Sequence, residues 1–281
     1  MDGVRFRRMT RDEVEIAISF AAAEGWNPGR SDAECFYYTD PDGFFCAESG
    51  GKVVGTISVV NYSPDFAFAG LFVVDPAFRA HGIGMQLYRF ALRHAGARVV
   101  GGDGVIAMVE KYRKDGGLFF HHNNARYAGT GGGPMPPDLE PAEETGFSDL
   151  AAFDAEHFPA RRETFLRNWI GRPGHFGLVK RDGGGAICGF GVRRVCRTGY
   201  KIGPHFARDR TAAEQVLDGL VAGIPGETFF LDIPCTNAGA TSLVAGRHLQ
   251  PVFSTARLYS KENPALPPID EIYGITTFEL G

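Results

Sequence analysis

The densest chemical signal in the chain is the run from Leu71 to Met85. Leu71-Phe72-Val73-Val74 reads as a strand, Asp75-Pro76 ends it, and Arg79-Ala80-His81-Gly82-Ile83-Gly84-Met85 leads into Leu87, Phe90 and Ala91 at helical spacing. A helix start carries unpaired N–H groups and the positive end of a dipole, and glycines let a phosphate approach the backbone closely. Arg79 adds a full positive charge, and the amides of His81 to Met85 can point at phosphate oxygens. Such a loop suits a pyrophosphate. The same spacing also serves a plain strand-to-helix turn in which Gly82 and Gly84 only satisfy geometry, so the surrounding elements must decide.

Those elements are legible on both sides of the loop. Thr10-Arg11-Asp12-Glu13 is a capping box, followed by Val14, Ala17, Ile18 and Ala21 on one helical face. Gly25-Trp26-Asn27-Pro28-Gly29 then breaks the pattern. Phe44 to Ser49 and Lys52 to Tyr62 predict a hairpin turning at Gly50-Gly51, and Phe66 to Val74 predicts the third strand. A short strand near Arg98 to Val100, a helix over Ile106 to Lys114 and a strand over Leu118 to Ala128 follow. Gly101-Gly102-Asp103-Gly104 reads as a turn, and His121-His122 on a strand would face opposite ways, which is poor geometry for a shared metal. No metal site is expected.

Gly129-Thr130-Gly131-Gly132-Gly133-Pro134-Met135-Pro136-Pro137 has no apolar period, and the boundary between two domains is placed there. The division is 1–130, a linker over 131–141, and 142–281. Beyond it the order recurs: a helix over Arg161 to Ile170, strands over Phe176 to Lys180, Ile187 to Cys196 and Lys201 to Phe206, a helix from Ala212 to Val221, a strand over Phe229 to Ile233 and a helix from Ala238 to Ala245. One α+β unit is used twice, each a mixed, mostly antiparallel sheet flanked by helices.

Bulk composition narrows the partners. The net charge of -4 gives no attraction to nucleic acid or an anionic membrane, and no apolar run approaches the roughly 20 residues of a membrane span. No export signal stands at the start, and the five cysteines lack C-x-x-C spacing, so a cytoplasmic protein with reduced thiols is expected. Cys235 has no histidine partner visible in sequence. A small-molecule or peptide partner fits best; the chain could be a monomer or a homodimer.

The hairpin, third strand and Arg79-x-x-Gly82-x-Gly84 together resemble the GCN5-related N-acetyltransferase (GNAT) superfamily, with the likeness running over residues 4 to 128. The resemblance implies an acyl-CoA-dependent N-acyltransferase using acetyl-CoA, without a metal. Phe72, Val73 and Val74 would then pair with the pantetheine arm, and Arg79, Ala80, His81, Gly82, Ile83, Gly84 and Met85 would hold the pyrophosphate. Tyr112-Arg113-Lys114-Asp115-Gly116 resembles the family's Tyr-x-x-x-Gly-Phe segment, with Gly117 in place of Phe and Val105 where many relatives have Asn. By that likeness Tyr112 would protonate the departing thiolate, a role open to a phenol with a pKa near 10; an amphipathic tyrosine on a helix surface is the alternative. The strand Phe66 to Val74 has no glutamate where many relatives keep their base, leaving Glu24 and Asp65 as loop carboxylates that could serve.

Glu24 to Gly29, Gly199 to Pro204, Phe253 to Arg257 and the closing Gly274 to Gly281 are similar to a tandem GNAT group with a YitH/HolE-type C-terminal domain. Trp26 and Asn27 would line the acceptor pocket by that likeness, and Tyr200, Lys201, Asp232 and Asn237 sit at strand ends that could face it. Ala207-Arg208-Asp209-Arg210 has no glycine pair, so the second half is expected to shape substrate selection or packing. A sensor that binds acyl-CoA without turnover, and a transferase for longer acyl chains like the N-myristoyltransferases, are the rival readings.

Overall fold

A computed structural model describes residues 3 to 281. In the first half the order is β1 (Val4–Arg8), α1 (Val14–Ala23), α2 (Asp32–Thr39), β2 (Phe44–Ser49), β3 (Lys52–Asn61), β4 (Phe66–Val74), α3 (Ile83–Leu92), β5 (Val99–Val105), α4 (Val109–Gly116) and β6 (Phe119–Thr130). The second half follows with β7 (Leu139–Pro141), α5 (Phe147–His157), α6 (Glu163–Trp169), β8 (His175–Arg181), β9 (Ile187–Val195), β10 (Tyr200–Ala207), α7 (Arg210–Ala222), β11 (Thr228–Pro234), α8 (Ala238–Gly246), β12 (Gln250–Tyr259) and β13 (Ile272–Gly274).

Local sequence accounts for the elements that hold the loop. In α1 the buried residues are Val14, Ala17, Ile18 and Ala21, and the capping box supplies one bond, from the Thr10 amide to Glu13 Oε2 at 2.8 Å. In α3 they are Ile83, Leu87, Tyr88 and Ala91, with Phe90 only half-buried. Helices α2 and α5 were not expected from sequence, and β5 is longer than expected because Gly101 to Gly104 is strand and not turn. Its glycines make room for rings: a β carbon at 101 would stand 3.0–3.2 Å from Tyr259, Phe68 and Phe66. Residues 131–141 are tied down as well, since the Gly131 and Gly132 amides donate to Glu227 O and Val221 O, both at 2.8 Å, and the stretch ends in β7.

The two halves share one thirteen-stranded sheet in the order β1-β2-β3-β4-β5-β12-β6-β11-β10-β9-β8-β7, with β13 on β10. Strand β12 of the second half lies between β5 and β6, and β6 of the first half lies between β12 and β11. Each half has therefore given a strand to the other. The only parallel pairs among the described residues, β4 with β5 and β10 with β11, occupy matching places in the two halves. The largest apolar core mixes both halves, including Val14, Phe36 and Leu71 with Phe165, Trp169 and Phe190. At a transfer free energy of about 25 cal/mol per Å² of apolar surface, this shared burial couples the halves as one interior couples its own layers.

The expected opposition of His121 and His122 does not occur. Strand β12 shifts register between Arg257, opposite His122, and Leu258, opposite Phe120, leaving His121 in a bulge. An extra residue breaks the alternation of faces, and the two Nδ1 atoms meet at 2.7 Å. Among the described residues no group of three or more metal-ligating side chains forms, and no helix is long and apolar enough to cross a membrane.

Candidate active site

Strands β4 and β5 pair only from Phe66 opposite Val99 to Ala69 opposite Gly102, and then diverge. At the point of divergence β4 bulges: its register against β3 shifts between Thr56 and Ser58, Leu71 takes a left-handed φ of 48°, and the Thr56 hydroxyl donates to Leu71 O at 2.9 Å. Past the bulge, Val73 and Val74 pair with Thr56 and Gly55 of β3 on one edge, while among the described residues no strand occupies the other. That leaves an open row of main-chain donors and acceptors. An extended amide-bearing arm can add to such an edge as a strand would.

The row leads straight into the loop. Arg79 Nε donates to Val74 O at 2.7 Å, and its Nη2 is ion-paired with Glu24. Gly82 is the N-cap of α3 with φ 76°, no side chain caps this helix start, and His81 and Gly82 are exposed. A left-handed N-cap is a position glycine takes without strain. Gly84 packs under Phe72 and Val74, each 3.4 Å from where its β carbon would be. The start of α3 is thus uncapped by any side chain and opens at the exposed His81 and Gly82, as an anion site requires.

A cleft fills the divergence between β4 and β5. Gly70 to Phe72 and Gly102 to Val105 form two of its walls, and Tyr88, Tyr112 and Leu118 close a third. Trp26 reaches in from the end of α1, Phe253, Thr255 and Leu258 come from the donated strand β12, and Phe278 and Glu279 from the last residues of the chain. Tyr112 stands over Gly104, and burial pushes its phenol above the ordinary value. Burial likewise pushes Tyr88 up to about 12; its hydroxyl donates to Gly116 O at 3.3 Å.

Of the residues named from sequence, Trp26, Phe72 and Tyr112 line the cleft and Val73 to Met85 continue from its rim. Lys201 and Asp232 lie behind Trp26 instead. Arg126 holds Asp232 through two 2.7 Å bonds, and both Arg126 Nη1 and Lys201 Nζ donate to the Trp26 carbonyl, at 2.9 and 3.0 Å. Burial raises the Asp232 carboxyl, but the charge and bonds of Arg126 outweigh it and the net shift is downward; burial lowers Lys201. This buried group fixes the backbone of Trp26. Asn27 is bonded to Thr198 in both directions at 2.8 and 2.9 Å, Asn237 caps α8 and donates to three carbonyls near β13, and Tyr200 lies under Arg193. None of these three lines the cleft. Glu24 is engaged by Arg79, and Asp65 sits at the β3–β4 turn, where its carbonyl accepts from Val99 N at the other end of β4.

Sequence reading missed Tyr88, Thr255 and Glu279. Glu279 is 1% exposed and neither carboxylate oxygen has a hydrogen-bond partner; Thr255 Oγ1 is likewise buried and unpartnered. A lone acid inside the apolar run Phe278-Glu279-Leu280 was the available signal. A buried, unpaired carboxylate costs several kcal/mol unless something meets it.

The equivalent place in the second half is shut. Strand β13 pairs with β10 beyond its own bulge, at His205 and Phe206, filling the edge that stays open on β4. The Asp209 carboxylate caps α7 by accepting from Ala212 N at 2.9 Å. An acid already occupies that helix start, and an anion is repelled from it.

Comparisons with known proteins agree with this geometry. Residues 10–116 match the Acetyltransferase (GNAT) family and residues 150–274 match an Acetyltransferase (GNAT) domain. The chain is 29% identical over 273 residues to a holothin acyltransferase of Pseudoalteromonas sp. (strain SANK 73390), covering 96% of this chain and 92% of that one. Among solved structures, a candidate acetyltransferase from Pyrococcus horikoshii superposes with a TM-score of 0.85 at 22% identity, over 100% of this chain and 97% of the other. A tandem GNAT protein of the clavulanic acid biosynthesis pathway gives 0.62 at 14% identity, over 93% and 99%.

Proposed function

Because the chain belongs to the GNAT superfamily, as a tandem-domain acyltransferase, we propose that it moves an acetyl group from acetyl-CoA to a primary amine of a small molecule or peptide by direct attack. The observation that carries this reading is the continuous path from the open edge of β4 through Arg79 to the uncapped start of α3, with the cleft beside it. The diphosphate of the donor sits on the amides of His81 to Met85, its pantetheine arm along Phe72 to Val74, and its thioester in the cleft at the bulge. The main-chain amides beside Leu71 face the developing oxyanion, and positioning supplies most of the rate.

Tyr112 serves as the acid. As the amine nitrogen bonds to the carbonyl carbon and the C–S bond breaks, its phenol gives a proton to the leaving sulfur. A raised phenol pKa suits this, since the hydroxyl then stays protonated through the neutral and mildly basic range. The relative named as a holothin acyltransferase supports acyl transfer as the reaction. Transfer of a longer acyl chain is the second reading, favoured by the apolar side chains Leu118, Phe253 and Leu258 along the cleft.

Assays of acetyl-CoA consumption against a panel of primary amines test the proposal, together with Tyr112→Phe. The variant is expected to lose 10²-fold or more in kcat while binding coenzyme A as the parent does, in keeping with roughly 10²–10⁴-fold for a general acid. Saturable coenzyme A binding without transfer to any amine contradicts the reading and leaves a sensor.

A further inference from the structure

The last residues of the chain do two different things in the two halves. Strand β13 closes the edge of β10, and Ile275 to Gly281 then cross to β4, anchored by Ile275 N to Asp232 O at 2.8 Å and by Arg162 Nη1 to the Thr276 hydroxyl at 2.9 Å. A turn clasped by Thr277 follows: its hydroxyl accepts from Glu279 N and Leu280 N at 3.1 and 2.7 Å. Tyr62 fixes the end of the turn by donating to Leu280 O at 3.0 Å. The backbone of Glu279 lies directly on Gly70, where any β carbon would collide with it, and Gly70 is the residue at which β4 leaves β5.

So Glu279 is held by its backbone at the point of divergence, where a thioester would lie, and it lines the cleft. Both carboxylate oxygens of Glu279 are buried and unpartnered, and Thr255, which also lines the cleft, adds an unpartnered hydroxyl oxygen. Two unsatisfied acceptors in one apolar cleft call for a donor with more than one hydrogen. The surroundings select its charge and size: Trp26, Phe253 and Phe278 present aromatic faces, and the acidic neighbour Asp103 is already spent on Arg257 at 2.7 and 2.9 Å.

We propose that Glu279 and Thr255 form the acceptor-amine site, with Glu279 the catalytic base of the transfer and the acceptor a compact, largely apolar primary amine without acidic groups. The proposal rests on the acyltransferase reading above and supplies the base it lacks. As the nitrogen lone pair forms the N–C bond, Glu279 takes a nitrogen proton, the C–S pair leaves on sulfur, and Tyr112 gives sulfur its proton. The products are an amide and free coenzyme A; the proton held on Glu279 and the one missing from Tyr112 cancel through solvent. The charged groups whose fields reach Glu279 are Arg126 of β6, Arg194 of β9 and Lys201 of β10, with Asp232 of β11 among them and Asp103 of β5, Arg257 of β12, Tyr88 and Tyr112 around the cleft.

Initial rates with acetyl-CoA and benzylamine between pH 6 and 10 decide the matter, in the intact protein and in Glu279→Gln, Glu279→Asp and Thr255→Val. Glutamate serves as the acidic control acceptor. The expected result is a loss of about 10²-fold or more in kcat for Glu279→Gln, in line with general-base catalysis. Partial recovery should come in Glu279→Asp, a severalfold rise in the benzylamine KM in Thr255→Val, and no transfer to glutamate. Coenzyme A affinity should stay that of the parent in each variant, and none should melt below the parent. Glu279→Gln turning over within threefold of the parent with the same pH profile overturns the assignment and leaves the acyltransferase reading standing. A parent that binds coenzyme A but acetylates no amine overturns both.

Discussion

The ring of Tyr112 occupies the space in which a β carbon of residue 104 would stand. The glycine of β5 and the tyrosine of α4 are therefore one unit: the absent side chain at 104 sets how deeply the phenol enters the cleft. Nothing else at 104 is that small.

Gly104→Ala should displace the ring and act on turnover without touching the diphosphate loop. A fall in kcat of tenfold or more with an unchanged dissociation constant for coenzyme A is expected from steady-state rates and calorimetry. A kcat equal to that of the parent would show that the depth of the phenol is irrelevant.

The two halves differ in what fills matching places, and the difference is countable. With β13 on β10 and Asp209 on the start of α7, the open edge and the uncapped helix start lie, among the described residues, in the first half. Calorimetric titration should give one coenzyme A per chain. Two per chain would contradict the account of the second half.

Buried histidines set the acid limit of the fold. Burial pushes His122 down to about 3 and His175 and His205 to about 4, from an ordinary value near 6.5. Because the folded values are the lower ones, the unfolded chain takes up protons first: stability is complete above about 6.5 and drains away as pH falls toward 4 and then 3. At about 1.4 kcal/mol for each unit of pKa, the most each site can contribute is roughly 3–4 kcal/mol for His175 and His205 and roughly 5 kcal/mol for His122. Thermal melts should fall by more than about 10 °C between pH 7 and pH 4.5. A flat melting temperature over that interval would contradict the burial of the three rings as neutral groups.

Much of this was readable from sequence where a segment's neighbours in space are also its neighbours in the chain. Strand β4 falls on Phe66 to Val74 as expected, and the buried face of α1 is the one its spacing indicates. What sequence hid was set across the halves. Gly101 to Gly104 looks like a turn because glycine favours turns, yet it is strand because rings from β4 and β12 need its missing side chains. Strand β12 begins Gln250-Pro251, an unpromising start, and takes its place from partners more than a hundred residues away. Glu279 was overlooked for the same reason: only the path of the final turn over Gly70 brings it to the cleft.

In the proposed reaction the main-chain amides opening α3 hold the diphosphate of coenzyme A. Replacing both junction glycines, Gly82→Val with Gly84→Val, crowds the exposed end of the loop at 82, forces side-chain atoms against Phe72 and Val74 at 84, and adds strain at the left-handed residue 82, where a β carbon costs about 1–2 kcal/mol. Calorimetry with coenzyme A should show saturable binding by the parent and a loss of at least a hundredfold in the doubly substituted protein, with 3′-dephospho-coenzyme A following the same pattern. Equal affinity in the two proteins, or no affinity in the parent, would contradict it.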